Sequence, residues 1–368
     1  MTGAYVAILA AGDPSKKAPF GQWSPAIAET VNALRLRGIQ AVAMAVDDLS
    51  PDPFVRVWRP GLRQRWLAER KRPPKIFYNR ILNRSRERRS EVQSSLRALQ
   101  QKGNILFNPG YLSKADLHRR LSGSAVASYL PETTLQPLPR DVFAMLERRS
   151  CLYLKPVDSC GGKGIFQICQ NASGWQVTEV RKKRALPVAF HEEEKLLCWL
   201  DDLLARREYL SQQALFFDRI DDRPYDFRVL VQKDGRGCWT YVDAGIRLAA
   251  PGHVVTHRPN GGQILRRDQL VRARFDRFRW KRIESEMASA AVAAARAMEA
   301  NSHEHFGILT LDMGLEQPGE HLWLLEINAK PGRFDEPWIQ RKSDFLLASY
   351  VKHLAARRGE IHENIYSP

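Results

Sequence analysis

The chain has 368 residues, 44% of them hydrophobic and 27% charged, with a formal net charge of +16. That length is too great for one small core, and the composition is that of a globular protein. No stretch approaches the ~20 uncharged apolar residues of a membrane span, and the first apolar run lacks the basic start of a signal peptide, so a cytoplasmic protein is expected.

Residues 4–10 read as a strand, 24–38 as a helix and 39–46 as a second strand. Ser24 is the expected N-cap of that helix, Pro25 sits in its first turn and Gly38 ends it. A strand over 75–81, a basic helix over 85–101 stopped by Gly103, and the segment NILFNP complete a small parallel α/β domain, expected over 1–110. Between Arg56 and Arg97 there are fourteen Lys/Arg and three Glu. Such a field favours an anionic partner, a small molecule or peptide with acidic groups, although a solvated helix face and loop has the same composition. Nucleic acid is not expected, because no helix-turn-helix, zinc or RNP-type pattern accompanies the charge.

A second section, 111–205, opens with a short helix (113–123) and a strand-and-turn connector (128–137). Strands at 151–157 and 165–170 flank the glycine loop DSCGGKG, a further β element follows at 174–181, and a helix spans 192–207. The third section, 206–368, begins with EYLSQQAL. Its strands fall at 226–232, 238–249, 306–315 and 321–328, with an Ala-rich helix at 282–301 and an amphipathic one at 343–359. The five cysteines (151, 160, 169, 198, 238) contain no CxxC pair and cannot all be paired. They point to a reducing compartment, without a disulfide framework or zinc site.

Three features carry chemistry. Lys155 ends an apolar strand, and Gly161, Gly162 and Gly164 surround Lys163 in the turn that follows. Glycines let backbone N–H groups approach an anion, and the lysines add charge. The spacing is not that of a Walker A loop, and glycine turns are also ordinary hairpin punctuation. Asp312 lies in the apolar strand GILTLDMGL. Glu326 and Asn328, two apart on the next strand, share a face. Three such oxygen ligands suit Mg²⁺. A Glu–Asn hydrogen bond, with Lys330 or Arg228 as counter-charge, would serve structure alone. Cys160, His253 and His257 read as buried or loop residues, and Arg80 as either a substrate contact or an ion pair.

These motifs, in order, resemble the ATP-grasp superfamily: Lys114, Lys155, the loop 161–164, EYLSQQAL, DFR at 226–228, AGIR at 244–247, NGG at 260–262, Asp312 and ExN at 326–328. YNR, FNPGYLSK, PYDFRVLVQ and LEINAKPG resemble its YheC/YheD (endospore-coat-associated) type. The resemblance implies an α/β (α+β) ATP-grasp fold, with two α+β subdomains gripping ATP behind the N-terminal domain. It implies ATP and Mg²⁺ as cofactors. Lys114, Lys155, Gly161, Gly162, Lys163 and Gly164 would meet the phosphates. Gln212, Gln213 and Ala214 would line the adenine slot. Asp218 would bind the ribose, with Glu208, Asp221 and Asp222 as rivals. Asp312, Glu326 and Asn328 would hold the metal. Arg228, Arg247 and Lys155 would act in catalysis. Arg80, Arg247, Asn260, Gly261 and Gly262 would face the substrate. The implied reaction is ligation of a carboxylate to an amine through an acyl phosphate; the alternative is a nucleotide-binding scaffold that holds an acidic partner. A homodimer is a candidate assembly.

Overall fold

The computed structural model describes residues 4–13, 16–49, 52–62, 65–158, 164–180, 187–252, 256, 261–302, 304–317 and 321–365, with side chains to 357. Each of its three sections is built on a six-stranded sheet.

The first sheet holds β1 (Tyr5–Ala10), β2 (Gln40–Ala45), β3 (Val55–Pro60), β4 (Trp66–Lys71), β5 (Ile76–Asn79) and β6 (Ile105–Phe107), in the order β4-β3-β2-β1-β5-β6. Strands β2, β1, β5 and β6 are parallel. The helices are α1 (Ser24–Arg35), α2 (Arg84–Glu87) and α3 (Ser90–Gln101). Alternation divides β1 between them: Val6 and Ile8 pack with Ile27 and Val31 of α1, Ala7 and Leu9 with Val92 and Leu96 of α3. Two details differ from the sequence reading. The Ser24 hydroxyl accepts from the Phe20 amide instead of capping α1. The basic helix expected over 85–101 is two helices, because Arg89 is extended. The β3–β4 hairpin was not foreseen, since charged residues interrupt both of its strands.

Helix α4 (Lys114–Leu121) leads out of this domain. The second sheet holds β7 (Thr133–Leu135), β8 (Cys151–Pro156), β9 (Phe166–Asn171), β10 (Gly174–Glu179), β11 (Val188–Phe190) and β12 (Tyr209–Gln213), in the order β11-β10-β9-β8-β12-β7. Helices α5 (Pro139–Arg149) and α6 (Glu193–Arg206) close its core, with Val142, Met145, Leu196 and Leu200 packed on Leu152, Leu154 and Ile168. Strand β12 pairs with β8 and β7, so EYLSQQ belongs to this sheet and not to the section after it. The cysteine expectation also fails. Cys151 and Cys169 form a disulfide, because the β8–β9 register places them directly opposite each other with Cα atoms 4.1 Å apart. The cysteine pattern therefore no longer argues for a reducing compartment.

The third sheet holds β13 (Arg219–Ile220), β14 (Arg223–Lys233), β15 (Trp239–Leu248), β16 (Gln263–Leu265), β17 (Ile308–Leu315) and β18 (Leu322–Asn328). Its order is β16-β15-β14-β17-β18, with β13 on β14. The helices are α7 (Arg267–Arg274), α8 (Arg277–Ala300) and α9 (Pro337–Ile365). Tyr225, Phe227 and Val229 of β14, with Leu309, Leu311 and Met313 of β17, face α8. Ala290, Ala291, Ala294 and Ala295 give α8 a flat surface for that contact. Leu117 and Leu121 of α4 join the same core. On the opposite face, Leu230 packs with Ile339, Leu347 and Val351 of α9, which also contact the first domain's core. Val242 and Ile308 join that contact, while the part of the face that carries Asp226, Arg228, Arg247 and Asp312 is polar. No described helix is long and apolar enough to cross a membrane.

Candidate active site on the third sheet

The polar face follows from strand alternation. If Phe227 faces α8, Asp226 and Arg228 face away; likewise Gly245 and Arg247 on β15, and Thr310 and Asp312 on β17. Strand β18 needs a further device. Leu322 and Leu324 lie in the α8 core, so Glu326 and Asn328 would follow them inward by simple alternation. A bulge prevents this: Asp312 pairs with Glu326 and Met313 with Leu324, leaving Leu325 as the extra residue. The bulge flips the parity, so Ile327 joins the core while Glu326 and Asn328 turn to the polar face. One row across the sheet then reads Gly245, Arg228, Asp312, Glu326.

Asp312 is buried and shares an arginine. Arg247 donates Nε and Nη2 to the two oxygens of Asp226, both at 2.7 Å, and lies 3.1 Å from Asp312 Oδ2. Thr256 adds a 2.6 Å bond to Asp226. Burial opposes the Arg247 charge, but Asp312 and Asp226 outweigh it and hold the guanidinium charged. Arg247 is thus a buttress beneath Asp312. Asp226, noted in the sequence only as part of DFR, is what fixes it. Arg228 is more open: it donates to the Gly332 carbonyl at 3.4 Å and lies 5.1 Å from the Phe334 ring centroid. Burial lowers its pKa first, Asp312 opposes this and Arg247 adds to it.

Among the described residues, the side chains of Glu326 and Asn328 have no hydrogen bond or ion pair. Glu326 does act on a charge from the second sheet. Lys155, at the end of β8, is pushed down to about 8 by burial and by Lys114, while Glu326 works in the other direction. Lys114 and Glu326 are therefore both within electrostatic reach of Lys155. Lys114 occupies the first turn of α4, whose capping box joins Ser113 and Asp116. A cation there opposes the helix dipole. Lys155 Nζ donates to Gln212 Oε1 at 2.5 Å, and Gln212 Nε2 donates to Thr133 at 2.9 Å and lies 3.3 Å from His118. Burial and Lys155 push His118 down to about 4, so its ring is neutral. His118 was missed in the sequence, because a histidine inside SKADLHRR carries no signal of its distant partner.

Other expected residues are placed differently. Gln213 Oε1 accepts from Glu132, and the Ala214 amide donates to Cys151, at the end of β12. Gly164 has φ +69, and a Cβ there would meet Arg207 Nη2 at 1.8 Å, so glycine is required where the loop rejoins β9. Gly161, Gly162, Lys163, Cys160, His253, His257 and Asn260 lie outside the described residues. Gly261 and Gly262 precede β16 at the sheet's edge. Asp218 is buried and held by Tyr225 (2.7 Å), Arg274 Nε (3.1 Å), Gln317 and the Arg219 amide. That leaves it a structural hub, away from the row. Of its rivals, Glu208 accepts from Gln136, and Asp221 and Asp222 form a turn with positive φ.

YNR, FNP and NAKPG meet in one seam. Arg80 is 4% exposed and donates to the Pro331 carbonyl, so it locks the first domain to the third rather than facing a substrate. Asn108 donates to the Ile308 (2.6 Å) and Ala329 carbonyls and accepts from the Gly307 amide (2.9 Å). Lys330 pairs with Glu87, which also accepts from Asn79 at 2.7 Å. Burial pushes Lys330 down to about 8, with Glu87 opposing.

The sequence model for "YheC/D like ATP-grasp" matches residues 103–354. The chain belongs to this ATP-grasp family. A curated member, endospore coat-associated protein YheD of Bacillus subtilis (strain 168), is 24% identical over 293 residues, 77% of this chain and 64% of YheD. The matched part thus spans less than two thirds of that relative. Among solved structures, D-alanyl-alanine synthetase A from Vibrio cholerae superposes with a TM-score of 0.54 at 11% identity, covering 96% of this chain and 97% of that one. The ATP-grasp ligase PsnB, complexed with minimal precursor, Mg and ADP, gives 0.50 at 13% identity, covering 95% and 97%. These likenesses show the ATP-grasp fold, an α+β architecture in agreement with the sequence reading.

Proposed function

We propose that the chain is an ATP-dependent ligase that joins a carboxylate, on a peptide or amino-acid-like substrate, to an amine. The observation that carries this is the pairing of Glu326 and Asp312 on one face, opposite Lys155 and Lys114. Asp312 shares its arginine with Asp226, the Glu326 side chain has no ion pair among the described residues, and Lys155 is a buried cation on the second sheet. A magnesium–nucleotide complex satisfies both sides, since its metal takes carboxylate oxygens and its phosphates take lysines.

The donor set fits Mg²⁺. Asp312, Glu326 and Asn328 offer hard oxygens, and the side chains of Glu326 and Asn328 have no other partner among the described residues. When bound, the ion supplies charge neutralisation at the phosphates. Lys114 and Lys155 hold the phosphate oxygens, with the loop through Gly161, Gly162, Lys163 and Gly164 closing over them. Gln212 holds Lys155 in place, while Gln213 and Ala214 border the adenine. Arg228 receives the substrate carboxylate and orients it toward the γ-phosphorus. The carboxylate oxygen attacks, ADP leaves, and an amine then displaces phosphate from the acyl phosphate. Asn260, Gly261 and Gly262 border the substrate side. Such catalysis is positioning and electrostatics, and exclusion of water protects the acyl phosphate.

The test is ADP release on a panel of amino acids and peptides, with hydroxylamine trapping the activated acid as a hydroxamate. Wild-type protein is expected to give hydroxamate, and Glu326→Gln to lose it. ATP binding without ADP release on any acid would point to a nucleotide-binding scaffold.

A further inference from the structure

The segment leaving β18 crosses the polar face before α9 begins. It passes Arg228 at Gly332 and Phe334 and ends at Glu336, which is 5% exposed. Glu336 Oε1 is buried without a hydrogen-bond partner. It lies over Gly245, where a Cβ would come within 2.4 Å of it. Gly245 pairs with Arg228, and Arg228 with Asp312. The row therefore runs from the metal-ligand candidates, past the carboxylate-binding arginine, to Glu336. Two strand spacings, about 10 Å, separate Gly245 from Asp312, enough for a carboxyl-phosphate group over Arg228.

A buried carboxylate oxygen without a donor is costly. The seam shows what this fold does with a structural acid: Glu87 receives both Lys330 and Asn79. Glu336 receives neither kind of partner. The charged groups around it are Arg228 from β14, Asp335 beside it, and Asp243 of β15, which is itself held by Arg267 and Lys342. Burial first, then Asp335 and Asp243, hold its carboxyl above the usual carboxylate range, against its own backbone amide and Arg228. A group of that kind is a stronger proton acceptor than an exposed carboxylate.

We propose that Glu336 is the subsite for the amine substrate: it receives the ammonium group of a primary amine and removes one proton from it. This rests on the ligase reading above. The freed nitrogen lone pair forms the C–N bond to the acyl carbon. The bond from that carbon to the phosphate oxygen breaks, and phosphate departs with the electron pair and the second amine proton. Gly245 is required because any side chain there would displace the Glu336 carboxylate.

The test uses the full chain with Mg·ATP and a panel of amino acids and peptides in turn as the acid. The nucleophile is either hydroxylamine, largely unprotonated at neutral pH, or a second amino acid. The readout is the ratio of amide to hydroxamate in wild type, Glu336→Gln and Gly245→Ala. The ratio is expected to fall about 100-fold or more at pH 7 in both variants, and to recover as pH approaches the amine's own pKa. An unchanged ratio in both variants overturns the Glu336 assignment and leaves the ligase reading standing. Absence of both products from wild type overturns the ligase reading and this assignment with it.

Discussion

The basic stretch of the first domain and the polar row of the third sheet both concentrate charge, and they dispose of it differently. Between residues 56 and 97 many of the cations find acids nearby: Arg56 meets Asp48, Arg59 and Lys71 meet Glu69, Arg86 meets Asp47, Arg84 and Arg88 meet Asp158, and Arg89 meets Glu91. Those pairs are partly exposed, and each is worth ~0–1 kcal/mol. In the row, Asp312 must share Arg247 with Asp226, and Glu326 has no ion pair among the described residues. A dense charge is informative only once its partners are counted. The fourteen cations drew attention to an acidic partner; the two carboxylates left short of cations say more about chemistry.

The largest effect expected from breaking this contrast lies at the seam, where a buried charge has its partner. Lys330→Ala strands Glu87 and should cost about 3–5 kcal/mol, read by urea unfolding; Lys330→Met with Glu87→Leu should recover most of it. In the row, Glu326→Gln should lower ADP release by about 100-fold or more and leave the urea midpoint nearly unmoved. Equal loss of stability in both variants would erase the distinction between seam and site.

Lys155 sharpens the contrast through pH. Its pKa falls from 10.5 to about 8 in the folded protein. The unfolded chain therefore binds more protons between those values, and stability rises with pH across that window. Lys155→Met should accordingly be more stable than wild type below pH 8. Nucleotide affinity should run the other way, falling by about tenfold as pH rises through 8 and Lys155 loses its charge, measured by titration with a non-hydrolysable ATP analogue. The smallest effect belongs to the basic stretch. Arg88→Ala leaves Asp158, at the foot of the glycine loop, with Arg84 alone, and should change stability by less than about 1 kcal/mol and the KM for ATP by less than about threefold.

The fold was largely legible because its strands are long and alternate cleanly. Phe227, Val229, Leu309 and Leu311 announce one buried face, and β1-α1-β2 carries its own start and stop signals. What stayed hidden depended on register. Nothing local says that Cys151 faces Cys169, or that Leu325 is the bulge that turns Glu326 and Asn328 outward. The residues LLEIN read as a strand with misplaced polar groups until that bulge explains them. Roles that rest on partners distant in sequence were equally hidden. Arg80 finds Pro331 and Asp218 finds Arg274, and both become scaffold; Arg247 finds Asp226 and becomes a support. Glu336 was passed over because a lone Glu before a helix is ordinary in any sequence.

The most direct test of the central claim is calorimetric titration of a non-hydrolysable ATP analogue, with and without Mg²⁺, into wild type and Glu326→Gln. Binding to wild type is expected to depend on Mg²⁺ and to weaken at least about tenfold in the variant. Binding that is equal in both proteins and indifferent to Mg²⁺ would contradict that claim.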